Sequence, residues 1–231
     1  AERRAYADRS KYLGDPDFYK VPDKLLDTSY IHTRMANFKP RQASKSADIS
    51  FGVIESDETT HFSIIDSEGN AVSLTTTLNG SYGAYTVVKG AGFLLNNEMD
   101  DFSVKPGIPN MYGLVGAEAN KIEPNKRMLS SMTPTIIEKD GKLKMVVGTP
   151  GGSTIITSVF QVIVNVLDFG MDADQAVQAA RFHHQWLPDV IQAENDAVSA
   201  NERKILESIG HTFKEKEAIG RVEAIVINND G

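Results

Sequence analysis

The stretch Glu58-Thr59-Thr60-His61-Phe62-Ser63-Ile64-Ile65-Asp66 decides the reading of this chain, with Ser67-Glu68-Gly69 and then Asn70-Ala71-Val72-Ser73-Leu74-Thr75-Thr76-Thr77 behind it. Both runs are rich in threonine and β-branched residues and predict strands over 60–66 and 70–77. A three-residue loop pairs Asp66 with Asn70 and sets Thr77 directly across from Thr59; a two-residue Glu68-Gly69 turn slips the register by one and sets Thr77 across from Thr60. In the first register the two hydroxyls share a face and lie within cross-strand reach. A threonine released at its amino end combines a hydroxyl with an α-amine that titrates near neutral pH and serves as the local base. Thr59 is read as such a latent nucleophile, masked while its nitrogen sits in the peptide bond to Glu58. Threonine also favours strands, so on pattern alone these threonines are open to a purely structural reading. His61 shares a strand face with Thr59 by period two. The amine is preferred as base because His61 would need an orienting partner of its own.

Outward from this hairpin the chain is unevenly informative. Its 231 residues suit one domain or a pair of small ones. With 41% apolar and 24% charged residues, a globular core is expected. The net charge of −7 is spread along the chain, which argues against nucleic-acid binding and against a polybasic membrane surface. Cysteine is absent, excluding disulfides and thiolate metal sites, and no apolar run is long enough to span a bilayer. The chain starts Ala1-Glu2-Arg3-Arg4, as expected of a fragment or processed product.

Residues 1–13 predict a helix stopped by Gly14-Asp15-Pro16, and Leu25 to about Phe38 a second short one. Residues 39–58 read as a mobile linker, and the first 58 residues hold too little apolar surface for a core of their own. After a turn at Gly80-Ser81-Tyr82-Gly83, residues 91–96 read as a short buried strand, followed by an acidic loop with Glu98, Asp100 and Asp101. Residues 103–127, heavy in proline and glycine, read as a long functional loop, a lid. Asp140-Gly141 marks a hairpin between strands at 133–139 and 142–148. A buried helix is expected over 154–169, short helices from Asp172 to Ala180 and from Asn201 to Ile209, and final strands at 212–216 and 222–228. Hairpins with helices grouped after them point to an α+β fold.

Several clusters invite chemistry. Gly148-Thr149-Pro150-Gly151-Gly152-Ser153 joins a strand to a helix, and its glycine amides suit an oxyanion or a phosphate, or form a plain turn. Glu98, Asp100 and Asp101 suit a cation or an ammonium group, or are simply solvated. Ser130-Ser131 could donate to a carboxylate or shape a turn. His183-His184 are adjacent, which makes a shared metal improbable. Arg181 is either an internal partner or a surface residue.

Taken together these stretches resemble the γ-glutamyltranspeptidase family of the N-terminal nucleophile hydrolases. The likeness is carried by Thr59-Thr60-His61, Thr75 to Asn79, Leu94 to Phe102, Tyr112 to Gly116, Asn125 to Arg127, Leu129 to Met132, Gly148 to Ser153, and Arg181 to Pro188. The resemblance implies an αββα sandwich, here partial, and a precursor that cuts itself between Glu58 and Thr59. Residues 1–58 then form the tail of the large subunit and 59–231 the catalytic small-subunit region. It implies Thr59 as nucleophile, Thr77 as its hydrogen-bonding support, and Gly151 and Gly152 as oxyanion-hole amides. Asn79, Glu98 and Asp101 are implied to hold the amino end of the γ-glutamyl group, and Ser130 and Ser131 its carboxylate. Neither metal nor organic cofactor is implied. The implied partners are γ-glutamyl compounds such as glutathione, amino-acid or peptide acceptors, and the rest of the large subunit, in the periplasm or outside the cell. The family's carboxylate-binding arginine is expected upstream of Ala1 and a final strand beyond Gly231, so an isolated fragment is expected to be folded but inactive, and Glu58 departs from the uncharged residue often found before the threonine. The alternatives are a non-catalytic or immature precursor module and a related autoprocessing acylase with another acyl donor.

Overall fold

Residues 1–49 and 59–228 are described by a computed structural model of the protein. The Glu58–Thr59 bond and the rest of 50–58 lie outside the described residues. The contacts divide into two compact units, one of residues 1–55, 98–130 and 183–215, the other of 56–97, 131–182 and 216–231.

The second unit is layered about one strand. Strands β1 (Thr60–Ile65) and β2 (Ala71–Thr76) form a hairpin, and β3 (Thr135–Lys139) pairs with β4 (Lys142–Gly148). Helices α3 (Ile155–Leu167) and α4 (Ala173–Gln178) follow. The β3–β4 turn has φ of 55° at Asp140 and 73° at Gly141, the left-handed pair that a two-residue hairpin turn requires and that this dipeptide supplies. Further along, β8 (Glu223–Val226) joins the free edge of β4. Met145, Val146 and Val147 are all fully buried, and a run without alternation means that both faces of β4 are covered. Met145 and Val147 join Ile155, Val159, Val162 and Val166 of α3 in one cluster. The β1–β2 hairpin contacts β4 as well. Each aliphatic side chain taken fully out of water there stabilises the unit by about 1.5–3 kcal/mol. Asp172 caps α4 through a reciprocal bond with Gln175.

The hairpin itself is inside out. His61, Ser63, Ser73 and Thr75 alternate with Phe62, Ile64, Val72 and Leu74, and the apolar set is the exposed one, at 38–52%. The polar set is the less exposed one.

In the first unit, α1 (Glu2–Tyr12) is followed by a 3-10 turn at Asp23–Leu26 and by α2 (Thr28–Met35). The single helix expected over 25–38 is broken because Asp27 takes an extended backbone, with ψ 129°. The unit also holds α5 (Ala200–Ser208), with Ser199 and Glu202 capping each other reciprocally, and β6 (Ile191–Glu194); the unit bounds fall within the short strands β5 (Phe182–His183) and β7 (Phe213–Lys216). The sequence signals missed β5 and β6. The 103–127 stretch is fastened to α1: Ala117 N–H donates to the Ser10 carbonyl at 3.1 Å, and the Ser10 hydroxyl donates to the Val115 carbonyl. Asp15 takes Arg127 at 2.6 Å, and that guanidinium holds its carboxyl well below the usual carboxylate range.

Two expectations are corrected. The start of the 39–58 segment is tied down: Ser46 is fully buried, its N–H donates to Asp189 Oδ2 at 2.5 Å, and its hydroxyl donates to the Trp186 carbonyl. Residues 91–96 form no strand; Val87 and Leu94 make an isolated bridge, and Phe93 and Leu95 are 55% and 43% exposed. Gly92 takes a left-handed φ of 75°, which breaks an extended run. Among the described residues no helix is long and apolar enough to cross a membrane.

Candidate active site

The hairpin register comes first, because it decides where Thr59 points. Asp66 N–H donates to the Asn70 carbonyl at 3.0 Å, and Thr60 pairs with Thr76. This is the register of the three-residue loop, and continued one residue beyond the last pair it sets Thr59 on the side of Thr77. The loop is held by Asp66, whose carboxylate accepts N–H groups of Glu68 and Asn70 at 2.9 Å each. Those bonds, with the Asn70 side-chain amide first, hold the Asp66 pKa below its ordinary value.

Thr59, Thr60, Thr76, Thr77, Leu78, Gly80 and Ser81 line an open pocket of about 260 Å³. Thr77 Oγ1 accepts the Asn79 N–H at 2.9 Å, so the Thr77 hydroxyl proton is directed elsewhere. Asn79 is 2% exposed and sits at φ 73°, a conformation that asparagine tolerates better than most residues. Its Nδ2 donates to the Asn97 carbonyl at 3.3 Å, and Asn97 Oδ1 accepts the Gly80 N–H at 2.9 Å.

His61 does have orienting partners. Its Nδ1 lies 2.7 Å from Thr75 Oγ1 and its Nε2 lies 3.0 Å from Ser63 Oγ, so both ring nitrogens are engaged by hydroxyls rather than by Thr59. Burial lowers its pKa, and Glu223 opposes that shift. The ring also fills the space over Gly148: a Cβ there would lie 2.1–2.6 Å from three ring atoms. His61 is thus wedged between the Thr59 strand and the start of the glycine loop.

That loop runs from Gly148 at the end of β4 to α3. Gly151 and Gly152 are both buried and take φ of 140° and 53°, conformations open to glycine. The Gly151 carbonyl accepts both the N–H and the hydroxyl of Thr154, at 3.0 and 2.7 Å. From outside, Thr149 Oγ1 accepts the Arg221 N–H at 2.8 Å, and Gly220 Cα lies 3.3 Å from where a Gly151 Cβ would stand. Arg181, left open by the sequence, is buried and donates to the carbonyls of Ile219 and Val177, at 2.8 and 2.7 Å. It braces the segment that backs the loop. Ser131 also belongs to this unit.

The acidic residues belong to the first unit. Glu98–Asp101 is a 3-10 turn rather than an open loop. Burial raises the Glu98 pKa. Burial likewise pushes the Asp101 carboxyl up to about 7; Arg9 opposes this, while Glu98 and Asp100 add to it. Asp100 is engaged locally, accepting the Met111 N–H at 2.6 Å. Arg9, Asp101, Ser103, Asn110, Gly116 and Asn120 line a small cavity, and the Ser103 hydroxyl there is buried without a hydrogen-bond partner. Ser130 is exposed and closes the same unit. His183 and His184 hold separate partners: His183 Nε2 is 3.0 Å from Gln185 Oε1, and His184 Nδ1 accepts the Trp186 N–H at 2.9 Å. Among the described residues no cluster of His, Asp and Glu could hold a metal ion.

Against known proteins, a family model described as gamma-glutamyltranspeptidase matches residues 1–231. A glutathione hydrolase proenzyme of Escherichia coli is 50% identical over 235 residues, covering 100% of this chain and 40% of the relative. The chain thus spans about two-fifths of the length of the curated relatives it matches. Among solved structures, the T380A mutant of Helicobacter pylori gamma-glutamyltranspeptidase is similar at TM-score 0.70 and 56% identity, over 72% of this chain and 90% of that one. A cephalosporin acylase from Bacillus halodurans shares the fold at TM-score 0.79, with 23% identity over 99% of this chain and 40% of that one. The α+β class and the N-terminal nucleophile hydrolase fold expected from the sequence are therefore the fold of this chain.

Proposed function

Because the chain belongs to the γ-glutamyltranspeptidase family, we propose that it carries the catalytic region of an enzyme that transfers and hydrolyses γ-glutamyl groups of glutathione and related compounds. The observation that supports this most is the register that sets Thr59 against Thr77 beside an open pocket. Cleavage between Glu58 and Thr59 frees the Thr59 amine and divides the chain into a 1–58 tail and a 59–231 catalytic part. The amine takes the Thr59 hydroxyl proton as Oγ attacks the γ-carbonyl carbon of the donor. Thr77 donates its hydroxyl proton toward Thr59 Oγ and orients it, its own oxygen being engaged by Asn79 N–H.

Negative charge then develops on the former carbonyl oxygen, and the Gly151 and Gly152 amides receive it. The amine passes the proton to the leaving nitrogen, the C–N bond breaks, and a γ-glutamyl ester on Thr59 remains. Water or an acceptor amine attacks that ester and regenerates the threonine. At the amino-acid end of the donor, Glu98 and Asp101 pair with the ammonium, assisted by Asn79, and Ser130 and Ser131 donate to the carboxylate. Asp101 is suited to this role because its charge is under-compensated until a cation arrives. Small γ-glutamyl donors and amino-acid or peptide acceptors are the expected ligands, in the periplasm or outside the cell.

Comparing a γ-glutamyl anilide with a glutaryl anilide, which lacks the ammonium, tests the assignment. A strong preference for the former is expected. Equal turnover of the two donors would overturn the γ-glutamyl assignment in favour of an acylase with a broader acyl group.

A further inference from the structure

Asn120 lies in the irregular 103–127 stretch, and nothing in its sequence context marks it. It is 4% exposed. Its Nδ2 donates to the Asp101 carbonyl at 2.7 Å, and its Oδ1 accepts the Leu129 N–H at 3.0 Å. Its own carbonyl accepts the Ser103 N–H at 2.8 Å, and its own N–H donates to the Ala117 carbonyl at 3.1 Å. The side-chain amide can be oriented in one way only, since the Asp101 carbonyl cannot donate and the Leu129 N–H cannot accept. One buried side chain therefore ties the Glu98–Asp101 turn to the residue immediately before Ser130. The asparagine amide supplies the donor for one partner and the acceptor for the other. Aspartate, of the same shape, offers no donor to Asp101, and alanine offers neither bond.

We propose that Asn120 is a positioning residue of the γ-glutamyl site, fixing the acidic turn that meets the ammonium relative to the Ser130 arm that meets the carboxylate. The inference rests on the roles given to Asp101 and Ser130 above. A donor carries its ammonium and carboxylate on one carbon, so two arms that drift apart cannot both engage it. Displacements of about 1 Å in such sites cost up to roughly a hundredfold. The two bonds of Asn120 serve different arms. Loss of the Nδ2 bond loosens the ammonium arm alone, whereas loss of both loosens the carboxylate arm too.

The test uses the full processed protein with wild-type residues, Asn120→Asp and Asn120→Ala, assayed on γ-glutamyl and glutaryl anilides. Asn120→Asp keeps an acceptor for Leu129 and loses the donor to Asp101. It is expected to raise KM for the γ-glutamyl donor about tenfold, the worth of one buried bond, with kcat nearly unchanged and glutaryl turnover unaffected. Asn120→Ala is expected to weaken both donors. Unchanged KM in Asn120→Asp would overturn the proposal. So would a proportional loss on both donors in that variant, which marks a purely structural residue. Failure of Asn120→Asp to yield folded protein would overturn it as well, since Asn120 would then be a folding determinant. A wild-type protein that does not distinguish the donors overturns the γ-glutamyl reading itself, and that failure is recognised because it precedes any substitution.

Discussion

At the Thr59 end of the hairpin the pocket is lined by threonines, serine, glycine and leucine, with no charged side chain among them. At the Glu98–Asp101 turn three carboxylates crowd into four residues, and burial pushes Asp101 up to about 7. The first region sets hydroxyls by strand register, which a ladder of backbone bonds enforces at no electrostatic cost. The second holds charge out of water, so its shape is held by a long-range bond from Asn120, while the positive charge of Arg9 opposes the rise in the Asp101 pKa. A nucleophile needs placement, while a cation-binding carboxylate needs placement and an unsettled charge.

The comparison breaks most visibly at the nucleophile. Thr59→Ala removes the attacking oxygen, and turnover of a γ-glutamyl anilide is expected to fall at least about a thousandfold, as for other nucleophile deletions; residual activity near wild type would remove Thr59 from the mechanism. At the acidic turn the effect is smaller. Asp101→Asn keeps the shape and loses the charge, so KM for a γ-glutamyl donor is expected to rise by roughly ten- to a hundredfold, as for a hydrogen bond to a charged group. The pH profile carries a second signature. In the free protein Asp101 is protonated below about 7, so kcat/KM should fall as pH drops through that value, and the Asn variant should lose that limb.

Stability runs the other way. The folded state holds the Asp101 proton more tightly than the unfolded chain does, so stability contributed by this group is present at low pH and is lost as pH rises from about 4 toward about 7. Denaturant midpoints across this range should decline less in Asp101→Asn than in the unsubstituted protein.

The wedge of His61 comes next. Gly148→Ala places a methyl group within 2.1–2.6 Å of the imidazole, and overpacking of this kind costs about 1–3 kcal/mol. A lowered denaturant midpoint checks it, and an unchanged one would show that the ring is free to move aside. The smallest effect is expected at the β3–β4 turn, where Gly141→Ala forces a Cβ into φ 73° with open space around it. A loss of about 1 kcal/mol follows from backbone conformation alone.

How much was legible follows the same line. The Asp140-Gly141 turn and the glycine loop before α3 could be read, because each is set by neighbours in the chain, and the Asp66–Asn70 loop with its threonine alignment was one of two registers the sequence allowed. The acidic turn was visible as residues but not as a held shape, since Asn120 acts across the gap to Asp101 and Leu129 and resembles any loop asparagine. The anchoring of Ser46 by Trp186 and Asp189 was equally hidden, so a polar segment reads as a linker. Residues 91–96 misled in the opposite direction: their apolar side chains predict burial, yet Phe93 and Leu95 face outward. The hairpin itself shows why alternation is not enough. Period two was evident, but the less exposed set turned out to be His61, Ser63, Ser73 and Thr75, bound to one another and to β4, with Phe62, Ile64, Val72 and Leu74 outside.

The central claim is that Thr59 is a nucleophile released from its own peptide bond, and intact-mass spectrometry with amino-terminal sequencing tests it most directly. Two pieces are predicted from the full-length precursor that contains this chain, one beginning at Thr59, and a single uncut piece from its Thr59→Ala variant. Cleavage at that bond in Thr59→Ala, or none in either sample, would contradict it.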